Sequence, residues 1–218
     1  MKKFLVVFLL FAVFFVCGCT NEQSSIVLEN MSDLRINYFE GNGKDFAVNF
    51  SSGFREEVFA YDGVSTPKKE CGVISVVFSD KVSYSFISGK IIIDDVLTEV
   101  VLEKSPFEDV YMADIERNVL DSAVISFGLK EREELVTLKN LSNDWAVDYK
   151  KAVEIATNHL SNHLQNLYFN GKLNAECYLK IVAKNDFEKK FWYFSVIDKS
   201  GKSASVLIDV ETKEVFDN

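Results

Sequence analysis

Residues 148–168 read DYKKAVEIATNHLSNHLQNLY, and their spacing decides the fold class. Upstream of them the apolar residues alternate with a period of two; from Asp148 they recur every three to four positions. Ala152, Ile155, Ala156, Leu160, Leu164 and Leu167 form one stripe, which predicts a single amphipathic helix across this stretch. Asp148 supplies the N-cap, and Asn170-Gly171 supplies the stop. Period two then returns over 178–183, 191–197 and 203–209, with Lys199-Ser200-Gly201-Lys202 as the turn between the last two. A helix followed by an antiparallel meander is an α+β unit in which the helix stripe covers one face of the sheet.

Working back from that helix, the chain is almost wholly strand-like. Residues 34–38 and 46–50 alternate around Glu40-Gly41-Asn42-Gly43-Lys44 and predict a hairpin. A third strand is expected over 54–61, closed by Asp62-Gly63, and a buried, β-branched one over 71–78. Residues 82–87 alternate, Ser88-Gly89-Lys90 reads as a turn, and 91–93 and 96–102 read as further strands. Residues 110–115, 124–129 and 135–138 continue the pattern, with a helical turn over 114–120 as the competing assignment. Strands this short and this often punctuated favour an antiparallel sandwich or barrel over a parallel sheet. The expected architecture is therefore α+β and β-rich. An antiparallel β-sandwich or barrel-like domain over 27–145 precedes a unit over 146–218 of one helix packed on an antiparallel sheet.

The first twenty residues, MKKFLVVFLLFAVFFVCGCT, carry an address. Lys2 and Lys3 precede a run of apolar residues over 4–16, shorter than the roughly 20 that a stable bilayer span needs. Val16-Cys17-Gly18-Cys19 resembles the lipobox of bacterial lipoproteins. The resemblance implies a signal peptide over 1–18, cleavage after Gly18, and a diacylglycerol (with further acylation such as palmitate) on Cys19. Two acyl chains give lasting attachment where one gives only marginal binding. The expected location is the extracytoplasmic side of the cell membrane, held through the chains on Cys19. In a cell with two membranes, Thr20 would favour the outer one. Residues 19–26 are expected to be a polar linker.

Charge and cysteine usage narrow the partners. The whole chain has a formal charge of −9, and loss of Lys2 and Lys3 leaves 22 basic against 33 acidic residues, a balance of −11. So acidic a surface argues against nucleic acid and against lying flat on anionic lipid. Cys71 and Cys177 remain once Cys17 is removed and Cys19 is alkylated. Outside the cytoplasm a bridge between them is permitted, and a pair of buried free thiols fits the apolar strands around them equally well.

The last third of the chain resembles the PepSY domain family. Ala152-Val153-Glu154-Ile155-Ala156 matches its helix opening, Phe191-Trp192-Tyr193-Phe194-Ser195-Val196 its aromatic central strand, and residues 206–215 (VLIDVETKEV) its ending. Lys213 stands where the family carries glycine. The resemblance implies a non-catalytic module that modulates peptidases or binds ligands, with no catalytic residues to transfer. The same Asp209-Val210-Glu211-Thr212-Lys213 segment also reads as a plain polar turn.

Candidates for chemistry are few. His159 and His163 share a helical face at i, i+4 but lack a third ligand or an H-E-x-x-H pattern, so they read as core-edge histidines. Glu56-Glu57 and Asp94-Asp95 point to opposite faces of their strands and make poor acid/base dyads, and Glu131, Glu133 and Glu134 read as solvated surface. No nucleophile elbow or phosphate-cradling loop is present, and no cofactor or metal is expected. Phe191, Trp192, Tyr193 and Phe194 place rings on both faces of one strand. One face must meet the helix; the other is core if covered and a partner surface if open.

The expected role is non-catalytic binding of a protein, peptide or envelope component, including restraint of a peptidase. Two other classes remain. A solute-binding lipoprotein would show a pocket between its domains with convergent polar groups. A hydrolase would show clustered carboxylates or histidines in a cleft.

Overall fold

The computed structural model describes residues 22–57, 66–93, 95–119, 122–129, 132–183 and 189–217. Cys19, where lipidation is expected, Asp94 and Glu131 lie outside them. Helix α1 (Glu22–Glu29) leads into the strands β1 (Met31–Asn42), β2 (Phe46–Glu56), β3 (Lys68–Phe78), β4 (Phe86–Ile93), β5 (Val96–Lys104), β6 (Tyr111–Ile115), β7 (Ser122–Leu129) and β8 (Arg132–Asn140). Then come α2 (Tyr149–His159), α3 (Ser161–Gln165), a small hairpin of β9 (Tyr168–Phe169) and β10 (Lys172–Leu173), and β11 (Ala175–Ala183), β12 (Lys190–Asp198), β13 (Ser203–Asp209) and β14 (Val215–Asp217).

All strands except β9 and β10 belong to one sheet in the order β14-β13-β12-β11-β1-β2-β3-β6-β5-β4-β7-β8. The run from β1 to β8 closes: β1 pairs antiparallel with β8 at Phe39↔Asn140 and Glu40↔Lys139, making an antiparallel barrel of eight strands. The strand that closes the barrel also leaves it. The start of β1 pairs parallel with β11 at Met31↔Cys177 and Leu34↔Leu179, while β2 runs along its other edge. One strand is thus shared by the barrel and by the open sheet β11–β14.

The barrel interior is filled by side chains, as expected for eight strands. Phe39, Phe50, Ile74, Ile91, Tyr111, Ile125 and Phe127 are fully buried there. Along β4, Ile87, Ile91 and Ile93 point inward while Phe86, Ser88, Lys90 and Ile92 are exposed. A barrel with apolar contents and charged residues outside is the reverse of an outer-membrane barrel. Among the described residues no helix is long and apolar enough to cross a membrane.

A second core lies between the helices and the open sheet. Ala152, Val153 and Ala156 of α2 pack on Cys177, Leu179, Trp192, Phe194, Val206 and Ile208, and Val27 and Met31 from the start of the chain join them. The two cores therefore do not follow chain order: the segment over 26–34 contributes to the later one.

Several local expectations are corrected. The helix expected to reach Tyr168 ends at His159; Leu160 (φ −90°, ψ 15°) redirects the chain into the short α3. Its N-cap is as expected, Asp148 Oδ1 accepting from Lys151 N at 2.7 Å. The stretch expected to be a linker is helical from Glu22, because Ile26, Val27 and Leu28 find apolar partners in the second core. Ser51-Ser52-Gly53 does not break the strand; β2 runs through it, hydrogen-bonded to β1 and β3 on both sides. Ser88-Gly89-Lys90 is not a turn but the middle of β4, where Gly89 faces inward. A Cβ at Gly89 would stand 3.0 Å from a carbon of the Phe127 ring directly across the ladder, so that ring occupies the space. Strand β4 begins only at Phe86, and no helical turn forms over the described part of 114–120.

Candidate binding groove

The bulge in β1 between Arg35 and Asn37 is where the strand bends from the open sheet into the barrel. Across from it, Gly53 lies so close to β1 that a Cβ would stand 2.0 Å from the Leu34 carbonyl oxygen. Only glycine permits that approach. The bend creates a groove of about 360 Å³ on the outer face of β11, β1, β2, β3 and β6. Its volume falls within the usual range for small-molecule sites.

Asp33 and Arg35 form its floor. Met31 and Leu34 point to the helices, so these two charged side chains take the opposite face, where both are buried. Arg35 Nε donates to Asp33 Oδ1 at 2.8 Å and Nη2 to Oδ2 at 3.4 Å, while Nη1 reaches Ser51 O at 3.5 Å. Lys180 of β11 brings its ammonium to 3.3 Å from Asp33 Oδ2 with 40% of the side chain exposed. Arg55 stands opposite Asp33 in the β1–β2 ladder and also lines the groove. The walls carry Asn49, Ser51, Ser75, Val73 and Met112. At one margin Tyr38 donates to Glu40 at 3.0 Å and lies under Lys190, whose ammonium also pairs with Glu40 at 2.6 Å. Burial, then the Glu40 charge, pushes the Tyr38 phenol far up.

The alternation at 34–38 reads as a half-buried strand with Arg35 and Asn37 in water. Instead both are buried: Asn37 donates to Asn118 and accepts from Asn140, at 3.2 and 3.4 Å. Sequence reasoning missed Asp33, Arg35, Arg55 and Lys180 as a group. Their only local signal is the Asp-x-Arg spacing, which puts two opposite charges on one face of a strand.

The residues singled out from sequence fall elsewhere. Trp192 and Phe194 are fully buried beneath α2; Phe191 and Tyr193 are half-buried on the other face, Phe191 edge-on to Phe216 at 5.9 Å. Two of the four rings are thus core, and the other two form a half-covered outer face. His159 pairs with Asp217 at 2.8 Å, and His163 Nε2 is buried without a hydrogen-bond partner among the described residues. No cluster of three metal-ligating side chains exists among the described residues. Glu56 is buried, Oε1 accepting from Thr66 N at 3.0 Å, while Glu57 is exposed, so the two do not share a site. Glu133 accepts from Ser126 and Glu134 from Lys44 N, on the barrel exterior.

The bridge considered between Cys71 and Cys177 is not formed: both thiols are free and buried. Strands β1 and β2 stand between β3 and β11, and at about 4.8 Å per strand the Cα separation far exceeds the ~7 Å limit for a disulfide. Burial pushes the Cys177 thiol up to about 12 and raises that of Cys71. Neither is expected to react with a maleimide in the native protein at pH 8. On unfolding, both Cys71 and Cys177 should become reactive.

The last turn of the open sheet carries two further expectations. Asp209 Oδ1 accepts from the backbone N–H of Glu211 and of Thr212, both at 2.9 Å, and Lys213 is held at φ +67°. Positive φ costs an L-residue roughly 1–2 kcal/mol, so Lys213→Gly should stabilise the protein by about 1 kcal/mol in urea unfolding. Burial works to raise the Asp209 pKa, but those N–H groups and Lys189 outweigh it and hold the carboxyl below its ordinary value. A depressed folded pKa gives stability that is present above the unfolded value near 3.9 and lost as pH falls through the folded one. Unfolding curves from pH 6 to pH 2 should therefore show a loss that Asp209→Asn removes.

A second cleft, of about 460 Å³, opens on the barrel where β5 and β6 separate. They pair only at Glu103↔Met112 and Lys104↔Tyr111, and Glu99, Asp114 and Glu116 make the gap acidic. No protein-family model, curated protein or solved structure matches the chain.

Proposed function

We propose that this protein is a lipid-anchored extracytoplasmic binding protein, non-catalytic, whose ligand sits in the groove where the barrel and the open sheet share β1. The observation that carries this is the convergence of Asp33, Arg35, Arg55 and Lys180 on one concave surface between two separately cored units. That is what a solute-binding lipoprotein needs, and it favours this reading over docking on the aromatic strand. A catalytic role finds little support in the groove. Its carboxylate, Asp33, is held by Arg35 and Lys180, and both histidines lie on the helices that cover the other face.

The anchor rests on the lipobox-like Val16-Cys17-Gly18-Cys19 and is a matter of chemistry at Cys19. If Cys19 is acylated, at most about 10 Å of chain separates it from α1, so the body would sit close to the bilayer. The PepSY-like reading of the C-terminal unit draws support from its order, helix then antiparallel meander. It draws more from Lys213, whose positive φ marks the place where that family carries glycine. Modulation of a peptidase by this unit stays a second reading on that ground.

The test has two parts. Mass spectrometry of the native protein should find an acylated Cys19 as the first residue; a free thiol or a retained leader would remove the address. A photo-crosslinking side chain placed at Ser75 or Met112 in intact cells should capture a ligand that one placed at Lys199 does not. Equal capture from both, or none, would remove the groove as the binding site.

A further inference from the structure

We propose that the groove takes a phosphomonoester, a small dianion held by Arg35, Arg55 and Lys180. This rests on the groove being the binding site and adds the chemistry of what it binds. Charge is the first argument. The protein as a whole is strongly negative, yet the ionised groups lining the groove are three cations and one anion, an excess of two positive charges. At physiological salt the Debye length is about 8 Å, so remote surface carboxylates are screened while groups in the groove are not. A phosphomonoester carries about −1.5 to −2 at neutral pH and matches that excess; a carboxylate carries half of it.

Geometry is the second argument. Asp33 holds the Arg35 guanidinium through Nε and Nη2, leaving only a long contact from Nη1 to Ser51 O among the described residues. A guanidinium has five N–H donors in a fixed plane, so a buried arginine fixed by a carboxylate is an oriented donor with capacity to spare. Lys180 closes on the same Asp33 from β11 and keeps 40% exposure, so its ammonium can be reached from the groove. Ser51 and Ser75 add hydroxyls to the walls, and Val73 and Met112 add an apolar strip for the group esterified to the phosphate. Charge-assisted contacts from arginine and lysine are the strong ones in phosphate recognition.

Nuclear magnetic resonance of the full chain in detergent micelles tests this, titrated with inorganic phosphate and glycerol 3-phosphate, and with acetate and glycerol as controls. Saturable shifts are expected for amides around Arg35, Ser51, Ser75 and Lys180, with glycerol 3-phosphate tighter than acetate. Arg55→Met and Lys180→Met should each weaken binding about tenfold or more. Asp33→Leu combined with Arg35→Met should abolish it while near-ultraviolet circular dichroism reports an intact fold. A short-chain phosphatidic acid separates the sources: binding it while ignoring glycerol 3-phosphate assigns the phosphate to a lipid headgroup, and the reverse assigns it to a soluble compound. No saturable shift with any phosphate, acetate binding as tightly, or indifference to Arg55→Met and Lys180→Met would each overturn the proposal. If groove crosslinking in cells persists beside a flat phosphate titration, the anion assignment falls and the groove stands. If both fail, both fall.

Discussion

Replacing Asp33 with alanine is expected to cost about 3–5 kcal/mol of stability, the usual penalty for leaving one member of a buried ion pair alone. The Asp33 and Arg35 side chains are 2% and 5% exposed, and the guanidinium has no other close acceptor among the described residues. Lys180 would lose its contact with Asp33 too, but it reaches water and should contribute little. The size of the effect comes from the stranded charge and not from the worth of the pair. Asp33→Leu with Arg35→Met should accordingly recover most of the loss, since well-packed apolar replacements of buried pairs are often close to neutral. Urea denaturation of the two singles and the double gives the cycle. A single Asp33→Ala variant within about 1 kcal/mol of wild type would show that water entering through the groove solvates the guanidinium once Asp33 is gone.

Trp192→Ala should destabilise by a similar amount, about 3–5 kcal/mol, for a different reason. The indole is fully buried between α2 and the open sheet, its Nε1 donates to Val147 O at 2.8 Å, and Trp145 stands edge-on at 5.5 Å. Removing it opens a cavity and leaves a carbonyl without its donor just ahead of the α2 N-cap. Trp192→Phe should cost less, because it keeps most of the volume and loses only the hydrogen bond. Both are read from urea midpoints. Equal losses for the two variants would place the energy in the Val147 contact instead of the packing.

These two sites differ in how visible they are in the sequence. Trp192 sits in an aromatic strand beside a helix whose apolar stripe can be counted residue by residue, so the period shows that one ring face of the strand is buried, and the structure shows that this face carries Trp192 and Phe194. Arg35 sits in a strand whose alternation suggests that it faces water. That inference fails because β1 has neighbours on both edges and a groove over its polar face, and the partner that shields it, β11, lies about 140 residues further on. No local pattern encodes a parallel pairing of that separation. Glycine misled in the same way. Gly53 and Gly89 punctuate the sequence like turns, whereas each marks a place inside a strand where another group comes close, the β1 backbone in one case and the Phe127 ring in the other.

Legible in the chain alone were the β-rich content, the α2 N-cap, and the helix-then-meander order of the last seventy residues. Each of these is written in composition or in a period that a short window contains. Long-range pairing is what closes the strands into a barrel, places β1 in two layers at once, packs the first helix with the last sheet, and brings four charged residues from β1, β2 and β11 into one groove. Ladder partners are chosen by backbone hydrogen bonding and by the burial of whole faces. Those are properties of pairs of strands, and a single strand's residues do not specify its neighbour.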